Sequence, residues 1–252
     1  MNLTIIQVFE NSESDIPITA VATLKEVGRL VALGHTVQVI FIDNGSTDAS
    51  PSLLEGVMES LPSGVLVLYR DNLGASTVRN AAIGVATGDY ILMLHGNVAV
   101  LAVSEQLAEY LQNLSDCLYL GFAPDCGVDN PALANSLLPS HWQSGILENG
   151  RKTTLLCHYG MFPVRVFRRG GARFDEAAPY ASAGAAWADR DMLQQLVNQR
   201  RGKVHIVRNV GYHLRKPTVL SSPEARNGHG APDEKRVIYY YLKWHNELSE
   251  PE

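Results

Sequence analysis

Apolar positions recur through residues 1–115 with two alternating periods. Residues 4–9 (TIIQVF) form a short apolar run of strand type. Residues 17–33 then place Ile18, Val21, Leu24, Val27, Leu30 and Val31 at helical spacing, and Gly34 follows as a helix stop. Residues 36–42 (TVQVIFI) are β-branched and mostly apolar, as a strand covered on both faces should be. Ser50-Pro51 reads as an N-cap followed by proline at the first helical position, which predicts a helix over 50–59. The same reasoning predicts a strand over 65–69, a helix over 76–86 closed by Gly88, and a strand over 90–94. A helix over 104–114 follows, capped by Ser104 with Glu105 in its first turn.

This order predicts an α/β fold with a mainly parallel sheet and helices on both faces. In such sheets ligands bind at the carboxyl ends of the strands, so the loops after Phe9, Ile42, Tyr69 and Leu94 are the ones to inspect. The second half is less regular. Residues 123–155 are rich in Pro, Gly, Asn and Ser and read as a long loop region; 186–199 reads as a helix, 203–208 as a strand and 233–248 as a helix. The expectation is one domain, 1–252, with two functional halves, 1–115 and 116–252.

The hydrophobic fraction of 46% and charged fraction of 19% suit a globular protein rather than a disordered one. A net charge of −5 argues against affinity drawn mainly from nucleic-acid phosphates. Arg165, Arg168, Arg169 and Arg173 form the densest basic cluster, read either as a solvated face near a turn or as a phosphate- or membrane-facing patch. The cysteines Cys117, Cys126 and Cys157 are odd in number and lack metal-finger spacing, which suits reduced thiols in the cytoplasm. The N-terminus lacks the pattern of a signal peptide, and no stretch approaches the roughly 18–20 apolar residues that cross a bilayer. A soluble cytoplasmic protein is expected, with the inner membrane face as an alternative peripheral location. The sequence does not indicate an oligomeric state.

The second predicted strand runs straight into Asp43-Asn44-Gly45-Ser46-Thr47-Asp48. These residue types build turns and helix caps, and at a strand end they can also hydrogen-bond a nucleobase or ribose. Further on come Asn72-Leu73-Gly74, then Arg79-Asn80 within a predicted helix, then Ala86-Thr87-Gly88-Asp89-Tyr90 and a strand ending at Leu94. Taken in order and at this spacing, residues 3–100 resemble the family 2 glycosyltransferases. Their pattern is DDGSTD, N-x-G, A-R-N-x-G, A-x-G-E/D-Y, and a strand ending in a D-x-D metal motif. The resemblance implies a GT-A fold, Rossmann-like, with a nucleotide-binding N-terminal half and a less regular acceptor half.

Carried over by residue, the resemblance puts Asp43 and Asn44 at the paired position that contacts the donor base. Asn44 stands where the family has a second Asp, and an amide donates as well as accepts. Phe9, Glu10 and Asn11 fall on the loop that lines the nucleotide pocket, where only Asn11 matches the family pattern. Arg79 falls on the helix arginine, with two roles open: contact to phosphate, or bracing of a loop. Where the family has D-x-D, this chain has His95-Gly96-Asn97. Hard cations such as Mg2+ prefer anionic oxygen; His95 could bind Mn2+, and the Asn97 amide oxygen is a weak ligand. The other reading is that His95 and Asn97 only cap the strand.

Phe174-Asp175-Glu176 matches the F-D-E that precedes the family's catalytic helix, and Trp187-Ala188-Asp189-Arg190-Asp191-Met192 resembles its E-D-x-D-L stretch. The resemblance implies Asp189 as the base that takes the acceptor's proton, with Ala188 in place of the neighbouring Glu. A dipole-stabilising Asp at a helix start is the plain alternative. His213 sits where relatives have a late histidine near the metal or diphosphate. His141-Trp142 and His158-Tyr159 read as acceptor-site pairs or as core. A G-x-G-x-x-G after the first strand is absent, against a nicotinamide dehydrogenase, and a glycine-rich basic loop is absent there too, against a nucleotidyltransferase.

Two functions are therefore expected. The first is an inverting transferase using a UDP- or GDP-sugar as donor and a glycan or glycolipid hydroxyl as acceptor. The second is a degenerate member that binds nucleotide, sugar or a protein partner without transfer.

Overall fold

The computed structural model describes residues 1–61, 63–100, 117–125, 159–168, 171–177, 191–192, 195–196 and 203–213; for 117, 121–125, 159 and 203–213 this is the backbone alone. The elements are β1 (Asn2–Phe9), α1 (Ile16–Ala32), β2 (Thr36–Asn44), α2 (Ser50–Met58), β3 (Val65–Tyr69), α3 (Ala75–Val85), β4 (Tyr90–His95), β5 (Val98–Val100), β6 (Cys117–Asp125), β7 (Tyr159–Pro163) and β8 (Lys203–His213). They form an eight-stranded sheet in the order β3-β2-β1-β4-β7-β6-β8-β5.

The first four strands are parallel, with β1 in the middle: Ile6 stands opposite Ile40 of β2 and Met93 of β4. Parallel neighbours need crossovers, and α1, α2 and α3 supply them. Strand alternation feeds two cores. Leu3, Ile5, Phe9, Val39, Phe41, Leu92 and Leu94 face Ile16, Ala20, Val27, Leu30 and Leu54 of α1 and α2. Ile6, Val8, Ile40, Ile42, Ile91 and Met93 face Val78 and Ala82 of α3. The pattern read from the sequence thus delivers a mainly parallel α/β sheet with helices on both faces.

Four local expectations are corrected. On α1 the apolar residues Ile18, Val21 and Val31 are exposed, while Thr19, Thr23 and Glu26 are buried beside Ala20, Val27 and Leu30. The helix therefore lies about its axis by its polar contacts as well as by its apolar stripe. Ser50 is not the N-cap of α2; Ala49 is, with no side-chain cap bond, and the Ser50 hydroxyl accepts the Ser12 N–H at 2.8 Å. The loop expected over 123–155 begins inside β6, which runs to Asp125. The strand expected over 203–208 is longer, reaching His213.

Beyond β4 the sheet changes direction. β7 is antiparallel to β4 and β6, β6 is parallel to β8, and β5 closes the order antiparallel to β8. The expected helices over 104–114 and 233–248 lie outside the described residues. Of the one expected over 186–199, helical backbone is described at 191–192 and 195–196.

Candidate functional site

The carboxyl ends of β1, β2 and β3 lie side by side, and their loops are joined by side chains. After β2 the chain must turn at once, and Asp43 makes it turn: its carboxylate accepts both the Ser46 N–H at 3.0 Å and the Ser46 hydroxyl. Gly45 follows at φ +72°, and a Cβ there would collide with the backbone of Asp71 and Asn72. Only glycine satisfies both constraints.

Asn44 spends its amide on the neighbouring loop. Its Nδ2 donates to Asn72 Oδ1 at 2.9 Å and its Oδ1 accepts the Leu73 N–H at 3.1 Å. Asn72 Oδ1 also accepts the Gly74 N–H at 2.8 Å, and Asn72 Nδ2 donates to Glu10 Oε1 at 2.7 Å. A polar chain Glu10–Asn72–Asn44 therefore crosses all three strand ends. Asp43 and Asn44 are both buried, whereas Glu10 is half-buried and Asn72 exposed.

Asn11 adopts φ +44°, uncommon for a residue with a Cβ, and its Oδ1 accepts the Thr47 N–H at 2.9 Å. Glu13 and Asp48 bridge the same loops: Glu13 N–H donates to Asp48 at 3.1 Å and Ala49 N–H to Glu13 at 3.1 Å. Partial burial of the Asp48 carboxyl works to raise its pKa. Hydrogen bonds from the Ser50 side chain and N–H and from the Glu13 N–H outweigh this and hold it below the ordinary 3.8. Phe9 is wholly buried and packs edge-on against Phe41, with centroids 5.6 Å apart. Its ring belongs to the core beneath the loop, not to an open cleft.

The fourth strand end carries His95-Gly96-Asn97. His95 is exposed, and its Nδ1 lies 2.8 Å from Asn97 Oδ1. An amide oxygen only accepts, so Nδ1 carries the proton, and in the neutral ring Nε2 is then the unprotonated nitrogen. Gly96 is required by contact: a Cβ would meet Phe9 Cδ1 at 2.8 Å and Val8 O at 2.9 Å. His213, on the backbone of β8, pairs in register with Val98, one residue beyond Asn97. The sheet thus carries the late histidine to the turn, although the two lie far apart in sequence.

Arg79 is buried on α3 with its guanidinium 5.1 Å from the centroid of Phe174. Beside it, Asn80 Nδ2 donates to Phe174 O at 2.8 Å and to Glu176 Oε1 at 2.7 Å, while Asn80 Oδ1 accepts the Phe174 N–H at 3.1 Å. The Arg79-Asn80 and Phe174-Asp175-Glu176 motifs are therefore one structural unit. Behind it, buried Asp191 accepts from Gln195 at 2.8 Å, and Gln195 also donates to Arg173 O at 2.8 Å. Met192 and Leu196 join the core around Phe174. Arg165, Arg168 and Arg173 are exposed; Arg168 and Arg173 border a groove of about 250 Å³ that includes Ile83, Val164 and Phe167. Asp189, Ala188, His141, Trp142 and His158 lie outside the described residues.

His95 and Asn97 fit a hard cation poorly. They offer one imidazole nitrogen and an amide oxygen already engaged with that same ring, where Mg2+ asks for several anionic or water oxygens. Among the described residues, no group of three or more His, Cys, Asp or Glu could hold a metal ion.

Three contributors to the site were not singled out from the sequence. Asn72 and Asn80 sit inside recognised motifs, where their side chains tie loops together. Gln7 is the third, a lone amide in the apolar run of β1; a polar residue at an inward-facing strand position is the signal that marks it.

The family model described as glycosyl transferase family 2 matches residues 8–173. No curated protein matches the chain in sequence. Among solved structures, the fold is similar to that of S. aureus TarS, at TM-score 0.64 and 16% identity over 86% of this chain and 37% of that one. TarS 1–349 in complex with UDP gives 0.63 and 16%, over 98% of this chain and 67% of that one. The mannosyltransferase PcManGT from Pyrobaculum calidifontis, in complex with GDP-Man and Mn2+, gives 0.59 and 15%, over 99% and 65%. The chain thus spans little more than a third of full TarS, and at these identities the likeness is one of fold.

Proposed function

Because the chain belongs to glycosyl transferase family 2, we propose that it transfers a sugar from a UDP- or GDP-sugar to a hydroxyl of a glycan or glycolipid, with inversion. The observation that carries this reading is the Glu10–Asn72–Asn44 chain across three adjacent strand ends, beside the turn at His95 and Asn97. It is a polar, preformed cradle at the edge where parallel α/β sheets bind ligands. Structures of similar fold carry UDP or GDP-Man, which supports a nucleoside diphosphate as the group held there.

In this reading the base lies over the Asp43 and Glu10 loops and the diphosphate lies towards His95 and Asn97. Asp189 takes the proton of the acceptor hydroxyl as that oxygen bonds to the anomeric carbon, and the bond from that carbon to the diphosphate oxygen breaks with its electron pair. His95 and Asn97 are a poor donor set for Mn2+ or Mg2+.

One observation favours binding without transfer. His95 and Asn97 bond each other, and Asp43 and Asn44 spend their side chains within the protein. A transfer assay on Asp189→Asn separates the two readings. Loss of sugar transfer with nucleotide affinity retained supports the transferase, whereas no transfer by the parent protein to any hydroxyl acceptor supports the binding protein.

A further inference from the structure

The run TIIQVF of β1 contains one polar residue, and strand alternation sends it inward. Gln7 shares a face with Leu3, Ile5 and Phe9 and is fully buried. A buried amide is costly unless both ends are bonded, and here both are. Its Nε2 lies 3.3 Å from His95 O and 3.3 Å from Val98 O, and its Oε1 is 2.8 Å from Thr23 Oγ1. The reverse amide orientation would set an oxygen against two carbonyl oxygens, so the chemistry fixes it. Thr23 has one hydroxyl proton, and Gln7 Oε1 at 2.8 Å is a nearer acceptor than Thr19 O at 3.1 Å.

A second buried hydroxyl completes the support. Thr19 Oγ1 lies 2.7 Å from Gly96 O. Three carbonyls of the turn, those of His95, Gly96 and Val98, are thus held from below by side chains of β1 and α1. The outer side of the same turn carries His95 and Asn97. This also accounts for the rotation of α1, whose polar residues Thr19 and Thr23 face inward while Ile18 and Val21 face solvent.

We propose that Gln7 and Thr23 are positioning residues, fixing the turn so that His95 and Asn97 face the diphosphate of the donor. This rests on the transferase reading given above. Neither residue touches the ligand; each acts through the backbone of the turn.

The test uses the full chain and two variants. Thr23→Val keeps the shape of the side chain while removing the donor to Gln7, and Gln7→Met removes the amide. Affinity is measured by calorimetry for UDP against uridine, and GDP against guanosine, while the nitrogen shifts of the His95 imidazole are read by NMR. The expected result is a loss of about tenfold in nucleoside diphosphate affinity, with nucleoside affinity held within about twofold and the His95 shifts displaced. A parallel loss of both affinities, or unchanged affinities with unchanged His95 shifts, overturns the proposal. If the parent protein binds no nucleoside diphosphate, the transferase reading fails. The His95 shifts then decide alone: displaced, the turn is held as stated; unmoved, it is not. If Gln7→Met does not fold, Thr23→Val carries the test.

Discussion

The side chains of Asn44 and Asn72 are hydrogen-bonded at 2.9 Å, and through that bond the ends of β2 and β3 join one polar chain that reaches Glu10, the residue after β1. The bond needs a donor at position 44. Asn72 Oδ1 already accepts the Gly74 N–H, and Asn72 Nδ2 is committed to Glu10. Asn44→Asp, which restores the family residue, therefore sets a carboxylate against the Asn72 oxygen and adds charge near Glu10. It should lower stability by about 1–2 kcal/mol, the order of a lost buried hydrogen bond, as read from urea unfolding. A variant as stable as the parent would mean that the Asn44–Asn72 bond does not couple the loops.

The poor donor set at the fourth strand end leads to a gain-of-binding prediction. His95→Asp together with Asn97→Asp supplies anionic oxygen in place of an imidazole and an amide. Nucleotide binding by the double variant should become stronger when Mn2+ is added. Calorimetry that shows no effect of Mn2+ on the variant would remove the turn from consideration as a metal position.

Arg79 packs its guanidinium over Phe174, and the planar cation suits that ring face better than an ammonium group does. Arg79→Lys should cost about 1 kcal/mol of stability, while UDP or GDP affinity stays within about twofold. A variant of normal stability with strongly weakened nucleotide binding would assign Arg79 to phosphate instead of bracing.

Asp48 gives a pH signature. Its carboxyl pKa is lowered on folding, so its contribution is complete above the ordinary value of 3.8 and is lost as pH falls through the lower folded value. The stability difference between the parent and Asp48→Asn should be flat above about pH 5 and shrink as the pH is taken below about 4. A difference that stays constant down to acid unfolding would contradict this.

The four parallel strands were legible because each is a compact, mostly apolar run, as in TVQVIFI, and the glycines and helical runs between them set the crossovers. The motifs of the strand ends were legible as residue types, but not their pairings. Nothing in the order of residues says that Asn44 turns to Asn72 or that Asn80 holds Phe174 and Glu176. On α1 the apolar spacing points Ile18 and Val21 inward, whereas the structure buries Thr19 and Thr23 instead. The reason lies in β1: buried Gln7 and the carbonyl of Gly96 demand hydroxyl partners. β5 has only three residues, and β6 and β7 are paired across a long sequence separation, so local periodicity carries little sign of them.

The central claim is that the polar strand-end cradle holds a nucleoside diphosphate. Its most direct test is the melting temperature of the purified chain with UDP, GDP, CDP and dTDP, each with Mn2+, Mg2+ or EDTA, since a ligand that binds only the folded state raises it by mass action. The account predicts a rise with UDP or GDP that survives EDTA, because His95 and Asn97 are a poor donor set for a hard cation. No rise with any of the four nucleotides would contradict the claim.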